Sequence, residues 1–336
     1  MKIIDIKKYF CYLIMLLILL TNKSFAVEVQ FNQGANQSES QNLLTNSIVQ
    51  YKQGQILLGT DTGLFLHNGY NLKPFLLNSK TEDKIEIYSI TNLYVDKKQV
   101  LWIGTNGEGL YRYDESKRQL DIFSKSNNQI DSDNITALVA DKKGGMWIAT
   151  DFGLNYISQS LKARLISFKH IDKLYITSMI RFDQDTLLIG SLSGLFFFDT
   201  IKNTLTELKL DVLKQEASIF ALHKDSNNKI WIGTQNGIFY YNNNKYTSFK
   251  PEKLSSKVTS ITSTKNDIWV ATVFDGLFKI SKNTEAIDNF IHSTKKHSIS
   301  ENSITHLFSD NNNGLWISFF TNGINYLNTN NFVFGF

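Results

Sequence analysis

Short apolar strands separated by polar turns recur along the chain, and seven of them share one phrase. The clearest copy is Leu-Trp-Ile-Gly-Thr at residues 101–105, followed by a Gly-containing turn and a second apolar strand that ends at Asp114. The second residue of the phrase is Trp or Leu in every copy and stands at positions 57, 102, 147, 188, 231, 269 and 316. Self-similarity at a period near forty residues indicates a repeat architecture.

Each repeat divides into four short strands. In the copy around Trp147, the strands cover residues 135–141, 146–150, 154–157 and 165–169, with short turns between them. Such turns make the pairing antiparallel, because parallel strands need crossovers of a dozen residues or more. One four-stranded sheet cannot bury both of its faces, but seven sheets packed around an axis can. The pattern predicts an all-β fold, a seven-bladed β-propeller of four-stranded antiparallel blades over residues 27–336.

Two details of the repeat add to this prediction. A Gly or Ala usually follows the Trp-Ile pair, which predicts that neighbouring sheets approach closely at that place. The Trp residues recur at one blade position with apolar neighbours, so we expect them to pack between blades instead of stacking on a ligand.

Both ends of the predicted propeller carry a segment that matches an outer strand. Residues 27–31 precede the first blade and residues 332–336 follow the last one. A ring of seven has room for one of them, so either could close the ring and leave the other spare. A spare outer strand leads us to expect that the chain is a fragment of a longer receptor.

The first 26 residues have the three parts of a secretory signal. A basic start with Lys2, Lys7 and Lys8 precedes an apolar run over residues 10–20, and small residues stand before a cleavage point after Ala26. The apolar run is about half of the roughly 20 residues that a membrane span needs. We therefore predict a signal peptide over residues 1–26 and a periplasmic protein, tethered to the membrane only if the signal is uncleaved.

Composition excludes several kinds of chemistry. The chain carries a formal net charge of +4, mostly from the lysines of residues 1–26, so the remainder is nearly neutral and gives no reason to expect nucleic acid as a partner. The single cysteine, Cys11, lies inside the signal. The six histidines lack metal-ligand spacing, and neither a nucleophile elbow nor a phosphate-binding glycine loop occurs. We predict no catalytic residue, no metal site and no cofactor.

The run from Leu101 to Asp114 closely resembles the two-component regulator propeller repeat, and so does the lead-in at residues 303–310. That resemblance implies a periplasmic sensory domain of a membrane receptor, whose ligand is a small molecule, an oligosaccharide or a peptide. In such receptors a transmembrane helix and a histidine kinase or diguanylate cyclase module usually follow. This chain has neither module, so it is expected to be no enzyme and to act through a membrane signalling partner.

The turns between the second and third strands of the repeats differ most in sequence, and variable loops on one face of a repeat scaffold commonly carry function. These turns are expected to share the mouth of the central channel with the connections between blades. Asp and Asn also serve in turns for turn chemistry alone. The candidate ligand-binding residues are Asp61, Asn106, Glu108, Asp151, Phe152, Gln235, Asn236, Phe274, Asp275, Phe320 and Asn322.

Two other functions stay open at this point. The strand and turn pattern is also similar to that of streptogramin lyase-type propellers, in which a histidine at the channel mouth acts with bound magnesium. A third interpretation is a platform that binds another protein across the ring.

Overall fold

The structure of the protein is a computed structural model, and it describes residues 32–33, 43–68, 71–80, 84–166, 168, 174–208, 218–242, 245–249, 254, 256–295 and 298–329. The predicted signal peptide and the predicted outer strands at residues 27–31 and 332–336 lie outside the described residues.

The described strands form seven antiparallel sheets of four strands, so the predicted seven-bladed β-propeller is confirmed. In chain order the strands are β1 (Asn32–Gln33); blade 1, β2 (Thr45–Gln50), β3 (Ile56–Thr60), β4 (Leu64–His67) and β5 (Leu72–Pro74); blade 2, β6 (Ile90–Val95), β7 (Leu101–Thr105), β8 (Leu110–Asp114) and β9 (Gln119–Phe123); blade 3, β10 (Ile135–Ala140), β11 (Met146–Thr150), β12 (Leu154–Ile157) and β13 (Ala163–Ile166); blade 4, β14 (Ile176–Arg181), β15 (Thr186–Ser191), β16 (Gly194–Asp199) and β17 (Thr204–Leu208); blade 5, β18 (Ile219–Lys224), β19 (Ile230–Thr234), β20 (Gly237–Asn242) and β21 (Lys245–Ser248); blade 6, β22 (Val258–Ser263), β23 (Asp267–Thr272), β24 (Leu277–Ser281) and β25 (Ile287–Phe290); and blade 7, β26 (Ile304–Ser309), β27 (Gly314–Phe319) and β28 (Ile324–Asn328).

Blade 7 takes its fourth strand from the N-terminal end of the chain. Strand β1 pairs antiparallel with β28, with Asn32 opposite Tyr326 and Gln33 opposite Asn325. The innermost strands β2 and β26 also contact each other, as the innermost strands of the other neighbouring blades do. The ring is therefore closed, and the pairing strand directly follows the segment at residues 27–31 that was one of the two candidates.

The hydrophobic core lies in the seams between blades. In the seam between blades 1 and 2, Leu57 packs with Leu101 and Ile103. In the seam between blades 3 and 4, Trp147 packs with Phe198. All five tryptophans are buried, none more than 7% exposed, as expected from their repeated position. Each seam is thus filled by the faces of two sheets that could not be buried singly.

The small residue after the Trp-Ile pair sits where two blades come closest. A Cβ added at Gly104 would lie 2.6 Å from Cγ2 of Ile135, and one added at Gly233 would lie 2.5 Å from Cγ1 of Val258. In each case the neighbour is the first residue of the next innermost strand. The prediction of a close approach at this position is confirmed.

In five of the seven blades a carboxylate holds the turn between the first and second strands. Asp225 accepts hydrogen bonds from the backbone N–H of Asn227 and Lys229, at 2.8 and 3.0 Å, and from Nε1 of Trp231 at 3.0 Å. Asp310 bonds Nε1 of Trp316 in the same way. In blades 2, 5 and 7 this one side chain satisfies both the turn and the buried indole. In blade 6 the indole of Trp269 donates to Thr264 instead, and Nε1 of Trp147 in blade 3 has no partner among the described residues. We call this side of the ring the base face.

Candidate functional site

The turns between second and third strands share the opposite side of the ring with the connections between blades. Backbone hydrogen bonds join the two sets: Asn106 donates to the carbonyl of Ser89 at 2.8 Å, and Phe320 donates to that of Ser303 at 3.0 Å. This side, which we call the rim face, has the arrangement expected from the sequence.

A hydroxyl at the end of the second strand shapes six of the seven rim turns. Thr105 donates to the carbonyl of Gly109 at 2.8 Å and accepts from the N–H of Glu108 at 3.0 Å. In blade 7 that position is Phe319, and Glu301 on the preceding connection accepts from the N–H of Thr321 at 3.0 Å instead. The conserved shape of the turns therefore leaves their tip residues free to differ.

The eleven candidate residues occupy rim turns of six blades. Nine of them are exposed, among them Phe274 at 74%, and Asp151 and Asp275 are half-buried. The Asp151 carboxylate accepts from Nδ2 of Asn134 at 2.8 Å, and that of Glu108 accepts from the Tyr111 hydroxyl at 3.2 Å. The structure thus spreads the candidates around the rim, and none of them is among the residues that line the central channel.

The central channel has a volume of about 720 Å³ and is lined mainly by the innermost strands. Each of those strands carries a register shift after its first residue, so that its second residue is an extra one in the ladder with β-bulge geometry. The second residue of each innermost strand lines the channel, in chain order Asn46, Thr91, Thr136, Thr177, Phe220, Thr259 and Thr305.

These residues also link neighbouring blades. The hydroxyls of Thr91, Thr259 and Thr305 donate to the first backbone carbonyl of the next innermost strand at 2.7 to 2.8 Å. Thr177 makes the same bond, and the Asn46 amide donates to Ile90 at 3.0 Å. The polar channel wall is therefore also a belt of inter-blade hydrogen bonds. The belt is interrupted at Thr136, whose buried hydroxyl has no partner among the described residues, and at position 220, where a phenyl ring leaves a gap.

That gap is the most distinctive part of the channel. The Lys257 ammonium lies 4.0 Å from the centre of the Phe220 ring, a cation–π contact. Tyr175 and Leu192, both exposed, line the same cavity, and the N–H of Leu192 donates to the carbonyl of Tyr175 at the rim. No acidic residue is present among the described residues that line the channel. The mouth therefore combines one positive charge with apolar rings.

Sequence reasoning missed these four mouth residues because it compared only the rim turns. Comparison of the innermost strands would have found Phe220, the one aromatic residue among Asn and Thr at its position. The candidate carboxylates lie in the outer ring of turns, and the channel wall itself is free of carboxylates over its described residues.

Among the described residues, one histidine lines this channel. His306 follows Thr305 on β26, and desolvation by burial lowers its pKa to about 4. His223 lies deeper, where its Nε2 is 2.9 Å from Oγ of Ser263, and desolvation likewise lowers its pKa to about 4. Both imidazoles are therefore neutral at pH 7.

These histidines predict an acid-sensitive fold. Their pKa lies below the unfolded value of about 6.5, so the unfolded chain binds more protons between these values and stability falls as pH drops from 6.5 to 4. We expect the free energy of unfolding of the His306→Gln variant to fall by about 2–3 kcal/mol less than that of the wild type between pH 6.5 and pH 4. Denaturant unfolding at pH 7, 5.5 and 4 measures it. Equal losses in the wild type and the variant would contradict this prediction.

The described part of the chain contains neither a candidate metal site nor a candidate membrane-spanning helix. Over those ranges no group of three or more His, Cys, Asp or Glu side chains is placed to hold a metal ion. The same residues include no helix of the length and hydrophobicity that crossing a bilayer requires. The absence of a cofactor stays a prediction.

Sequence comparison supports the resemblance found above. The model of the two component regulator propeller family matches residues 85–107, 129–152 and 214–236, which fall in blades 2, 3 and 5. No curated protein matches the chain significantly in sequence. The resemblance of the repeats to this family is confirmed.

Solved structures show which folds are similar. The extracellular domain of a putative hybrid two-component system from B. thetaiotaomicron has a TM-score of 0.75 at 20% identity, over 89% of this chain and 42% of that chain. Virginiamycin B lyase from Staphylococcus aureus has a TM-score of 0.67 at 13% identity, over 90% and 99% of the two chains. PorZ, a surface component of the Porphyromonas gingivalis type-IX secretion system, has a TM-score of 0.62 at 17% identity, over 83% and 46%.

These likenesses concern the fold. The chain covers less than half of the first of these relatives. It is a propeller domain in which three stretches match the two component regulator propeller model, and its fold is similar to that of the extracellular domains of putative hybrid two-component systems.

Proposed function

We propose that the protein is the ligand-recognition domain of a periplasmic signalling receptor of the two-component or cyclic-di-GMP type, and that its ligand binds at the channel mouth on the rim face. The observation that carries this proposal is the mouth itself, where Phe220 interrupts a ring of Asn and Thr side chains and the ammonium of Lys257 lies over its phenyl ring. Ligand binding would shift the population of conformations that a membrane signalling partner reads.

The chemistry of the channel favours a hydroxylated ligand with a carboxylate. Among the described residues that line the channel, Lys257 is the one lysine or arginine, and none is acidic. Its positive charge therefore attracts a negatively charged group of a ligand. The hydroxyl of Thr136 has no hydrogen-bond partner among the described residues. The other four threonine hydroxyls of the lining donate to neighbouring blades, so they can only accept further hydrogen bonds. Sugar hydroxyls supply such donors, and Tyr175 offers a ring for a sugar face. The volume is in the range of ordinary ligand pockets.

A thermal-shift screen of the purified protein tests the proposal, with acidic and neutral oligosaccharides and short peptides as ligands. Binding to the native state stabilises it by about 2.7 kcal/mol at one hundred times the dissociation constant. We expect an acidic oligosaccharide to stabilise the wild type, and Lys257→Gln to weaken its binding about tenfold or more. The matched control is Lys245→Gln, which removes an exposed lysine at the start of β21.

Two results would contradict the proposal. Binding that survives in the Lys257→Gln variant at wild-type strength would remove the channel mouth as the site. Absence of stabilisation by any compound, together with turnover of one of them, would replace the sensor by an enzyme.

A propeller enzyme is the second candidate, because His306 is a neutral imidazole on the channel wall and could act as a general base. Loss of turnover on addition of a chelator and in His306→Gln would favour this candidate over the sensor.

A further inference from the structure

A second cleft of about 410 Å³ lies on the base face between blades 2 and 3. It is bounded by the turn at residues 96–100, which joins β6 to β7, and by the turn at residues 141–145, which joins β10 to β11. All of its lining lies in a continuously described part of the chain. The cleft is on the side of the ring opposite to the channel mouth.

Positive side chains dominate this cleft. Five of its lining residues are basic and two are acidic, and the basic ones are Lys97, Lys98, Arg112, Lys142 and Lys143. Arg112 forms an ion pair with Asp121 at 2.9 Å, so the excess positive charge comes from the four lysines. The base turns of the other blades carry at most one lysine in the corresponding stretch, where Asn, Ser and Asp predominate. Among the base turns, paired lysines therefore occur only in these two adjacent blades, and they converge on one cleft.

The two carboxylates of the cleft are committed to their own turns. Asp96 accepts from the N–H of Lys98 at 2.7 Å and of Val100 at 3.0 Å. Asp141 accepts from the N–H of Lys142 at 2.8 Å and from the Tyr156 hydroxyl at 3.0 Å. Neither carboxylate forms an ion pair with one of the four lysines. The cationic partner of Asp141 is Arg181, at 3.7 Å. The lysine ammonium groups are left to repel one another.

One side chain fixes the two turns relative to each other. With its amide oriented to satisfy both partners, Gln159 accepts from Nζ of Lys98 and donates to the carbonyl of Lys143, each at 3.0 Å. Gly144 has φ +84° and lies against this amide, and an added Cβ would sit 3.3 Å from Gln159 Cγ. The cleft is thus held open by a cross-blade hydrogen-bond bridge, with the indole of Trp102 as part of its wall.

From this arrangement we infer a second binding site, for a compact polyanion that carries two or more sulfate or phosphate groups. Such a ligand would neutralise the lysines from both turns at once, with each ammonium donating to anionic oxygens. The site does not depend on the proposed recognition at the channel mouth.

Calorimetric titration of the purified protein with sucrose octasulfate and with inositol hexakisphosphate, at about 0.15 M salt, tests the inference. We expect one-to-one binding of at least one of these probes. Binding should weaken about tenfold or more in the variant Lys97→Gln/Lys98→Gln/Lys142→Gln/Lys143→Gln, and measurably in Lys97→Gln/Lys142→Gln. Raised salt should weaken it in the wild type.

The matched control removes four exposed lysines of other blades, in Lys202→Gln/Lys245→Gln/Lys265→Gln/Lys295→Gln. It has the same net charge as the cleft variant and is expected to bind as the wild type does. Equal weakening in both variants would mean unspecific charge attraction and would overturn the site. So would failure of both soluble probes, or co-sedimentation with phosphatidylglycerol vesicles without soluble-probe binding, which would indicate a membrane surface instead. Lys257→Gln leaves this binding unchanged, so failure here and failure at the channel mouth are separable.

Discussion

Replacement of Gly104 by Val should lower the free energy of unfolding by about 3 kcal/mol, at the upper end of the cost of overpacking. An added Cβ would lie 2.6 Å from Cγ2 and 2.9 Å from Cβ of Ile135, and the valine methyl groups extend further. Ile135 is itself buried at the start of the next innermost strand. Because the new valine and Ile135 both belong to stiff sheets, the steric clash can be relieved only if the seam between blades 2 and 3 opens. Denaturant unfolding measures the change.

Two companion variants make this prediction specific. Ala286→Val adds two carbons at an exposed position before β25 and should change stability by less than about 0.5 kcal/mol. Ile135→Ala in the Gly104→Val background removes the clashing atoms, so the double variant should be more stable than the sum of the two single changes predicts. Strictly additive effects would show that the two blades do not meet at this place.

Replacement of Trp231 by Ala should cost about 3–5 kcal/mol, the usual range for a buried tryptophan. The ring is 2% exposed and packs edge-on against Phe249 with centres 5.4 Å apart. Its Nε1 donates to the buried Asp225, which would lose a partner. The comparison variant is Phe274→Ala, at a ring that is 74% exposed, where the change should stay within about 0.5 kcal/mol.

This pair separates scaffold from surface. If the tryptophans served as ligand platforms, Trp231→Ala would leave stability nearly unchanged and reduce binding in the screen. We expect instead that Trp231→Ala lowers the stability strongly and that Phe274→Ala leaves it nearly unchanged.

Much of the fold could be predicted because the same structural features recur in the sequence of each repeat. Buried Trp or Leu, the small residue at the closest approach and the hydroxyl that closes the rim turn are all local to one phrase, and Trp102, Gly104 and Thr105 show them in order. Seven copies of one phrase leave few architectures that bury every sheet face.

The site could be predicted only in part. The sequence placed the variable turns on one face, but the register shift at Phe220 has no signature in residue periodicity, so the channel wall was not identified. Lys257 reaches the Phe220 ring from the adjacent blade, a contact between residues that are distant in the chain. The convergence of Lys98 and Lys143 depends in the same way on the angle between two blades. Such relations between repeats are fixed by packing and cannot be derived from any one repeat.

Hydrogen–deuterium exchange of the protein with and without the best stabilising compound from the screen tests recognition at the channel mouth most directly. We expect slower exchange around Tyr175, Phe220 and Lys257 when the compound is bound, with no change on the base face. Protection confined to the base turns or to the outer strands, with the mouth unaffected, would contradict it.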